Sequence, residues 1–507
     1  MLRALLLPLA GLALGLVAST ALAEPRLERE RCPFKPPRGD RVECFALIVP
    51  ENRAQPEGRE VRLKVAVLKA KRAAVADPLV YLAGGPGDAP LVPSVQGADA
   101  LAEGDWWHDT ATIRRRRDVI IISQRGGGGS SPNLDCFDPR ASEATRTRKR
   151  AVAEPQAREV LQRCRLGFER RRIDLSMYAT PHLADDVADL AQALSLSRIN
   201  LYGVSYGTRW GLEVMRRHPE LVRSAVFDGL YPPNVNGEQN EPEIVRRAFE
   251  QLYSDCAADI ACRERHGTLR TSVETLAERA EQRPVSLSLQ LDDGPVAVKL
   301  DGARVLLVLL HMMRDGEVAL VPETVATALQ SDYRLLKLFA EDLESGEGGL
   351  SDSNALHFDG LFNSIECRET WAAVDQGARR RAIEASGIYG LTARLSKAPA
   401  LCPVWRIPAA PAAERQPVKS TVPVLLMSGV YDWLTPPAWG REALRHLPNA
   451  RHAVFRAHGH GVVGQEPCAA RQRDEFLADP DPRKVPSCRA DQPPNFAAAL
   501  ERARALP

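Results

Sequence analysis

Apolar runs recur along the chain at Leu79, Val119, Ile199, Ala225, Val422 and Ala453, and stretches of helical length separate them. Short apolar runs of this kind read as strands buried on both faces. Their alternation with helices predicts an α/β protein with a mostly parallel central sheet. Between about 232 and 416 the pattern changes. Residues 244–252, 305–313, 325–338 and 379–384 read as helices, and 286–291 with 296–298 reads as a hairpin around Asp292-Asp293-Gly294. The expected organisation is a sheet-based core in two parts, 24–231 and 417–507, with a largely helical cap, 232–416, inserted between them.

The strands end close to residues that carry chemistry. Gly203-Val204-Ser205-Tyr206-Gly207 directly follows the run 199–202 and precedes a helical stretch, 208–218. A G-x-S-x-G sequence between strand and helix is the pattern of a nucleophile elbow. A serine on so sharp a turn holds strained backbone angles, so the residues two positions away must be small. The turn lifts the hydroxyl clear of the sheet, and the next helix points its positive end at the developing negative charge. A base and an orienting acid should follow in the order serine, acid, histidine. The run 422–427 ends in Ser428-Gly429, and Asp432 comes next, within Tyr431-Asp432-Trp433-Leu434-Thr435-Pro436. A short strand at 452–455 precedes Gly459-His460-Gly461. Both residues lie on loops just past strands, at the carboxyl edge where a parallel sheet assembles its sites.

Each assignment has a rival. Asp432 also suits a turn or a helix cap, and His458 competes with His460 as base. Flanking glycines fit a tight exposed loop and favour His460. One oxyanion donor should be the amide after the serine, that of Tyr206. The other should come from the loop after an earlier strand. The run 79–83 ends in Gly84-Gly85-Pro86-Gly87, where glycines permit close backbone approach and proline stiffens the loop.

Together these segments resemble serine peptidases of the proline iminopeptidase group, in the branch typified by bacterial tripeptidyl aminopeptidases. Gly84 to Gly87 resembles that group's GGPG. Arg125-Gly126-Gly127-Gly128-Gly129-Ser130 resembles its R-G-x-G-x-S loop, Gly203 to Gly207 its G-x-S-Y-G elbow, and Asp228-Gly229 its D-G. Asp432 to Pro436 resembles its D-x-x-T-P, and Gly459-His460-Gly461 its G-H-G. The resemblance implies an α/β-hydrolase fold with a TAP-like carboxyl-terminal region. It implies Ser205 as nucleophile, Asp432 as orienting acid, His460 as base, and Gly85 and Tyr206 as oxyanion donors. There is one departure: Ser123 stands where the group usually has an aspartate two residues before the loop arginine. That bears on loop rigidity and substrate preference, and leaves fold and triad untouched.

The amino terminus reads as an export signal. Arg3 supplies a positive charge, 4–17 is apolar, and Ala21-Leu22-Ala23 is a small-x-small cleavage site, so the mature chain is expected from Glu24. No cysteine marks a lipoprotein anchor at that point, and no later run is long and apolar enough to span a bilayer. The expected location is periplasmic or extracellular. Ten cysteines suit an oxidising compartment. They fall into neighbour pairs, 32 with 44, 136 with 164, 256 with 262, 367 with 402 and 468 with 488, although spacing alone does not fix connectivity. The last three pairs also resemble cysteine positions of the tripeptidyl aminopeptidase branch. No C-x-x-C, H-E-x-x-H or tight His/Cys cluster suggests a metal.

With 67 basic and 65 acidic residues the net charge is +2, which gives no sign of a nucleic-acid partner. Arg114 to Arg117 and 146–150 are local basic runs; the first, just before a strand, reads as capping or solvating a helix end rather than as a polyanion site. Gly126 to Gly129 lacks the lysine of a phosphate loop. No cofactor is expected.

A cap placed between nucleophile and acid should hold the specificity pocket. An exopeptidase acting at the amino end must pair a buried ammonium with a carboxylate. Within Ile365-Glu366-Cys367-Arg368-Glu369, Glu369 resembles the branch's acidic position two residues after a cysteine. Glu369 is the first candidate and Glu366 the second, with Glu238, Glu241 and Glu243 behind them. The bland alternative for each is a solvated or salt-bridged helix residue. The leading expectation is an exported serine exopeptidase acting on peptides. A carboxylesterase using the same triad on small esters is the second reading, and a non-catalytic secreted binding protein the third.

Overall fold

The computed structural model describes residues 24–91, 105–137, 154–291, 294–346, 357–358, 360–396, 398–488 and 492–506. The expected export signal, the basic run 146–150 and the turn residues 292–293 lie outside these. Thirteen strands are described: β1 Arg26–Glu30, β2 Val42–Pro50, β3 Glu60–Leu68, β4 Leu79–Leu82, β5 Val119–Ile122, β6 Cys136–Phe137, β7 Ile199–Val204, β8 Val222–Asp228, β9 Val285–Leu291, β10 Gly294–Leu300, β11 His357–Phe358, β12 Val424–Gly429 and β13 Ala450–Phe455. Nine form the central sheet, in the order β1-β2-β3-β5-β4-β7-β8-β12-β13. From β5 to β13 every neighbouring pair is parallel; β1, β2 and β3 add an antiparallel flank. This is an α/β-hydrolase sheet.

The parallel strands inside the sheet are buried on both faces, as continuous apolar sequences require, whereas the edge strand β13 is only partly buried, with Val454 exposed. Leu201, Phe227 and Leu426 pack into the core on one face of the sheet, and their chain neighbours Tyr202, Val226 and Leu425 into the core on the other. The helix Tyr206–Arg217 lies hard against β4. A methyl group on Gly207 would collide with the Leu82 carbonyl, so only glycine allows this approach.

Above the carboxyl ends of the strands sits a mainly helical layer with its own apolar core. The helices Gly237–Ala258, Leu269–Gln282, Gly302–Arg314 and Arg334–Gly346 contribute Phe249, Leu276, Leu309 and Leu336 to it, with the β9–β10 hairpin at its side. The single helix expected over 325–338 is two, Val321–Leu329 and Arg334–Gly346. Ser331 adopts φ 66 between them, and the Asp332 carboxylate accepts the Arg334 amide, so a turn interrupts the helical spacing. The final helix, Phe496–Ala505, follows the core in sequence but packs its apolar side into the core of this upper layer.

All ten cysteines pair, as 32–44, 136–164, 256–262, 367–402 and 468–488. Arg114 and Arg117 of the basic run turn inward and donate to the carbonyls of Trp107 and Ala76. Among the described residues no helix is long and apolar enough to cross a membrane.

Replacing Gly207 by alanine should lower stability by about 1–3 kcal/mol, because the methyl meets backbone that cannot rotate away. Urea unfolding checks this; an unchanged midpoint and slope would show that the helix can shift off β4.

Candidate active site

Ser205 follows β7 and caps the helix Tyr206–Arg217, with φ 56 and ψ −127. A non-glycine residue held there costs about 1–3 kcal/mol, a strain the surrounding structure must sustain. It is sustained by close packing. A Cβ on Gly203 would come within 2.5 Å of the Gly207 carbonyl oxygen, so the chain folds back on itself only where both flanking residues are glycine. The Ser205 amide donates to the Asp228 carbonyl at 2.9 Å, tying the elbow to the end of β8.

Asp432 and His460 leave β12 and β13 on adjacent loops. Asp432 Oδ2 accepts His460 Nδ1 at 2.8 Å and Thr435 Oγ1 at 2.6 Å. Its Oδ1 accepts the amides of Leu434 and Thr435. A buried carboxylate so held is fixed in orientation, and it selects the imidazole tautomer with the proton on Nδ1, which leaves Nε2 as the basic atom. Burial opposes charge on His460, but Asp432 outweighs it and holds the imidazole above its usual pKa. His458 points elsewhere, toward Glu466 at 3.4 Å and the Phe455 ring.

Asp228 and Gly229 lie between the serine and the histidine. A Cβ on Gly229 would stand 2.9 Å from His460 Cε1 and 2.8 Å from Thr435 Oγ1, while Asp228 carries the carbonyl bonded to Ser205. Ser205 and His460 therefore flank one two-residue step. The fully buried Asp228 carboxylate accepts the amides of Val462 and Val463, at 3.0 and 2.9 Å. These start the short helix after His460, so Asp228 anchors the histidine loop from behind. Burial pushes its carboxyl up to about 6, against the pull of those two amides. In sequence it stood out only as half of the Asp228-Gly229 match.

The loop Gly84 to Gly87 closes the other side. A Cβ on Gly84 would lie 3.2 Å from Ser205 Cβ, so the start of this loop abuts Ser205, whose helix opens with Tyr206. Tyr206 is further braced. Glu369 accepts the Thr180 amide at 2.8 Å and the Thr180 hydroxyl at 2.7 Å, so the Tyr206 hydroxyl must be the donor to Thr180 Oγ1, at 2.8 Å. Arg209 lies 3.4 Å from the same carboxylate. Glu369, the first amine-binding candidate from sequence, is thus occupied in bracing the elbow. Glu366, the second, lines a cavity of about 320 Å³ together with Glu238 and Glu241. Glu243 faces outward and pairs with Arg247.

The cavity adjoins the Asp432 loop through Trp433 and Leu434, and the Asp228-Gly229 step through Tyr231. Its other walls include Ile244, Leu307, Leu310 and Trp439. Thr392 Oγ1 donates to Glu241 at 2.6 Å and Ser396 Oγ to Glu238 at 2.9 Å. Glu366 Oε1 is buried with no hydrogen-bond partner among the described residues. Burial, reinforced by Glu238, pushes Glu366 up to about 8, and burial pushes Glu241 up to about 7. A cation entering this cavity would reverse both shifts.

Comparison with known proteins places this geometry in context. Residues 77–284 match the family described as alpha/beta hydrolase fold, and residues 389–488 the family described as TAP-like protein. A tripeptidyl aminopeptidase of Streptomyces coelicolor is 24% identical over 465 residues, 86% of this chain and 81% of that protein. The serine protease Hip1 of Mycobacterium bovis is 30% identical over 91 residues, 17% of this chain and 18% of that protein. Among solved structures, a proline iminopeptidase of Mycobacterium smegmatis aligns over 86% of this chain and 98% of its own, at 16% identity and a TM-score of 0.40.

The histidine environment can be read directly by NMR. The His460 Cε1–H resonance should titrate above 6.5, and in Asp432→Asn it should titrate lower, because burial then acts without the carboxylate that offsets it. An unchanged titration in the variant would place the controlling charge elsewhere.

Proposed function

We propose, from the premise that this chain has the α/β-hydrolase fold and carries a TAP-like segment, that it is an exported serine exopeptidase releasing N-terminal residues or short peptides. The observation that carries the proposal is the cavity beside the Asp432–His460 pair, apolar in its walls and lined by three carboxylates. An apolar pocket alone would suit an ester as well as a peptide. Carboxylates in that lining suit a substrate that carries a positive charge, as a free peptide amino terminus does.

In this reading Ser205 Oγ attacks the scissile carbonyl carbon and its proton passes to His460 Nε2. Asp432 holds the imidazole and stabilises the imidazolium that forms. The amides of Gly85 and Tyr206 receive the oxyanion. As the intermediate collapses, the C–N bond breaks and His460 gives the proton to the leaving amine. Water then attacks the acyl-serine, losing a proton to His460, and the released acid leaves Ser205 restored. Glu366, with its unsatisfied oxygen, is the leading ammonium acceptor, with Glu238 and Glu241 beside it. Trp433, Leu310 and Ile244 favour apolar side chains in the residues released. The tripeptidyl aminopeptidase and serine protease relatives support the peptidase reading. The five disulfides support an exported one.

Chromogenic mono-, di- and tripeptide amides with free amines should be hydrolysed, their N-acetyl forms should be poor substrates, and Ser205→Ala should abolish turnover. Turnover of a p-nitrophenyl ester alone would transfer the protein to the esterase reading.

Glu366→Gln should reduce kcat/KM for a free-amine amide by about tenfold or more while changing ester turnover by less than about twofold, since only the former presents a charge to pair. In the wild-type protein the ratio of amide to ester kcat/KM should rise from pH 6 to 8 as Glu241, near 7, and Glu366, near 8, ionise. It should fall again once the substrate ammonium deprotonates, at about 8. The His460 titration is common to both substrates and cancels; a flat ratio would remove the acidic cavity from substrate binding.

A further inference from the structure

Gln124 lies two residues beyond β5, between Ser123 and the loop arginine, and its side chain is 1% exposed. Both N–H donors and the oxygen of its amide are engaged. Nε2 donates to the Ala83 carbonyl at 3.1 Å and to the Gly84 carbonyl at 2.8 Å, and Oε1 accepts the Gly87 amide at 2.9 Å. Two donors and an acceptor thus grip both ends of Gly84 to Gly87. The departure at Ser123 is neutral here, because its hydroxyl accepts the Lys64 amide within the sheet and does not reach this loop.

The Gly84 contact has a specific consequence. The Gly84 carbonyl and the Gly85 N–H belong to one rigid planar peptide, pointing in opposite directions. A donor that fixes the carbonyl also fixes the N–H, and it polarises the peptide so that the N–H becomes a stronger donor. The brace is needed: Gly85 sits at φ 97 and has no side chain to secure it. Gly84, on the strand side of this peptide, abuts Ser205. We propose that Gln124 is a positioning residue for the oxyanion hole, holding the Gly84–Gly85 peptide so that the Gly85 N–H meets the tetrahedral intermediate.

The inference rests on the acyl-transfer reading above. Its action is confined to the transition state, because a ground-state carbonyl needs the donor less. It is tested with Gln124→Met, which keeps the volume and loses all three hydrogen bonds, and Gln124→Glu, which when ionised keeps the acceptor for Gly87 and loses both donors. Folding is checked by thermal midpoint and by titration of Ser205 with a phosphonate. Both variants should lose about 10- to 100-fold in kcat, with KM changing less than about threefold. A peptide boronate, whose tetrahedral serine adduct uses the oxyanion hole, should lose affinity in parallel with kcat. Full kcat and boronate affinity in either folded variant would overturn the inference. So would equal losses in KM and kcat, or failure of both variants to fold, either of which marks a purely structural residue. Ser205→Ala separates the two levels: hydrolysis surviving in that variant sinks the acyl-transfer reading itself, whereas an inactive Ser205→Ala beside fully active Gln124 variants sinks only the role of Gln124.

Discussion

The positive-φ backbone at Ser205 governs the geometry around it. Such a turn survives only where its neighbours leave no room for relaxation, and here they are β4, β8 and the start of the next helix. The same crowding that sustains the strain delivers the chemistry. Gly207 lets the helix reach β4, which brings Gly84 onto Ser205. The hydrogen bond from the Ser205 amide to Asp228 places the serine beside the residue that anchors the His460 loop. Ser205, the His460 loop and the Gly84 loop are thus held together by backbone packing and by the Asp228 carboxylate.

Side chains then refine what the backbone places. Around the elbow, polar groups are satisfied in chains: Asp432 with His460 and Thr435, Glu369 with Thr180 and Tyr206, Gln124 with the Gly84 loop. Networks of this kind are rigid because breaking any one bond strands a buried polar group. The cavity differs. Its carboxylates are held close together with too little compensating charge, and Glu366 keeps an oxygen unsatisfied. Rigid polar networks suit a transition state that needs fixed dipoles, and an unsatisfied acidic cavity suits a cationic group that arrives with the substrate.

Much of this was legible in the chain because it depends on local pattern. Parallel strands are continuous apolar runs, and the elbow, acid and histidine sit where such strands end. The flank β1 to β3 is absent from the continuous apolar runs because an antiparallel strand such as Glu60–Leu68 alternates apolar and polar residues instead. The break at Ser331 was hidden because apolar spacing continues across it. Glu369 ranks ahead of Glu366 in the sequence by its resemblance to an acidic position two residues after a cysteine, which carries no information on where either side chain points. The segment Glu366–Thr370 is a π-helical turn, which rotates the two side chains apart, one to the elbow and the other to the cavity. The grip of Gln124 on a loop some forty residues earlier leaves no trace in local spacing.

The most direct measurement uses a dipeptidyl phosphonate diphenyl ester with a free amine, followed by intact-mass analysis and peptide mapping. One adduct per chain is expected, on Ser205, and the N-acetylated reagent should label far more slowly at equal concentration. An adduct on any other residue, or equal labelling by the acetylated reagent, would contradict a serine nucleophile served by an acidic amine-binding cavity.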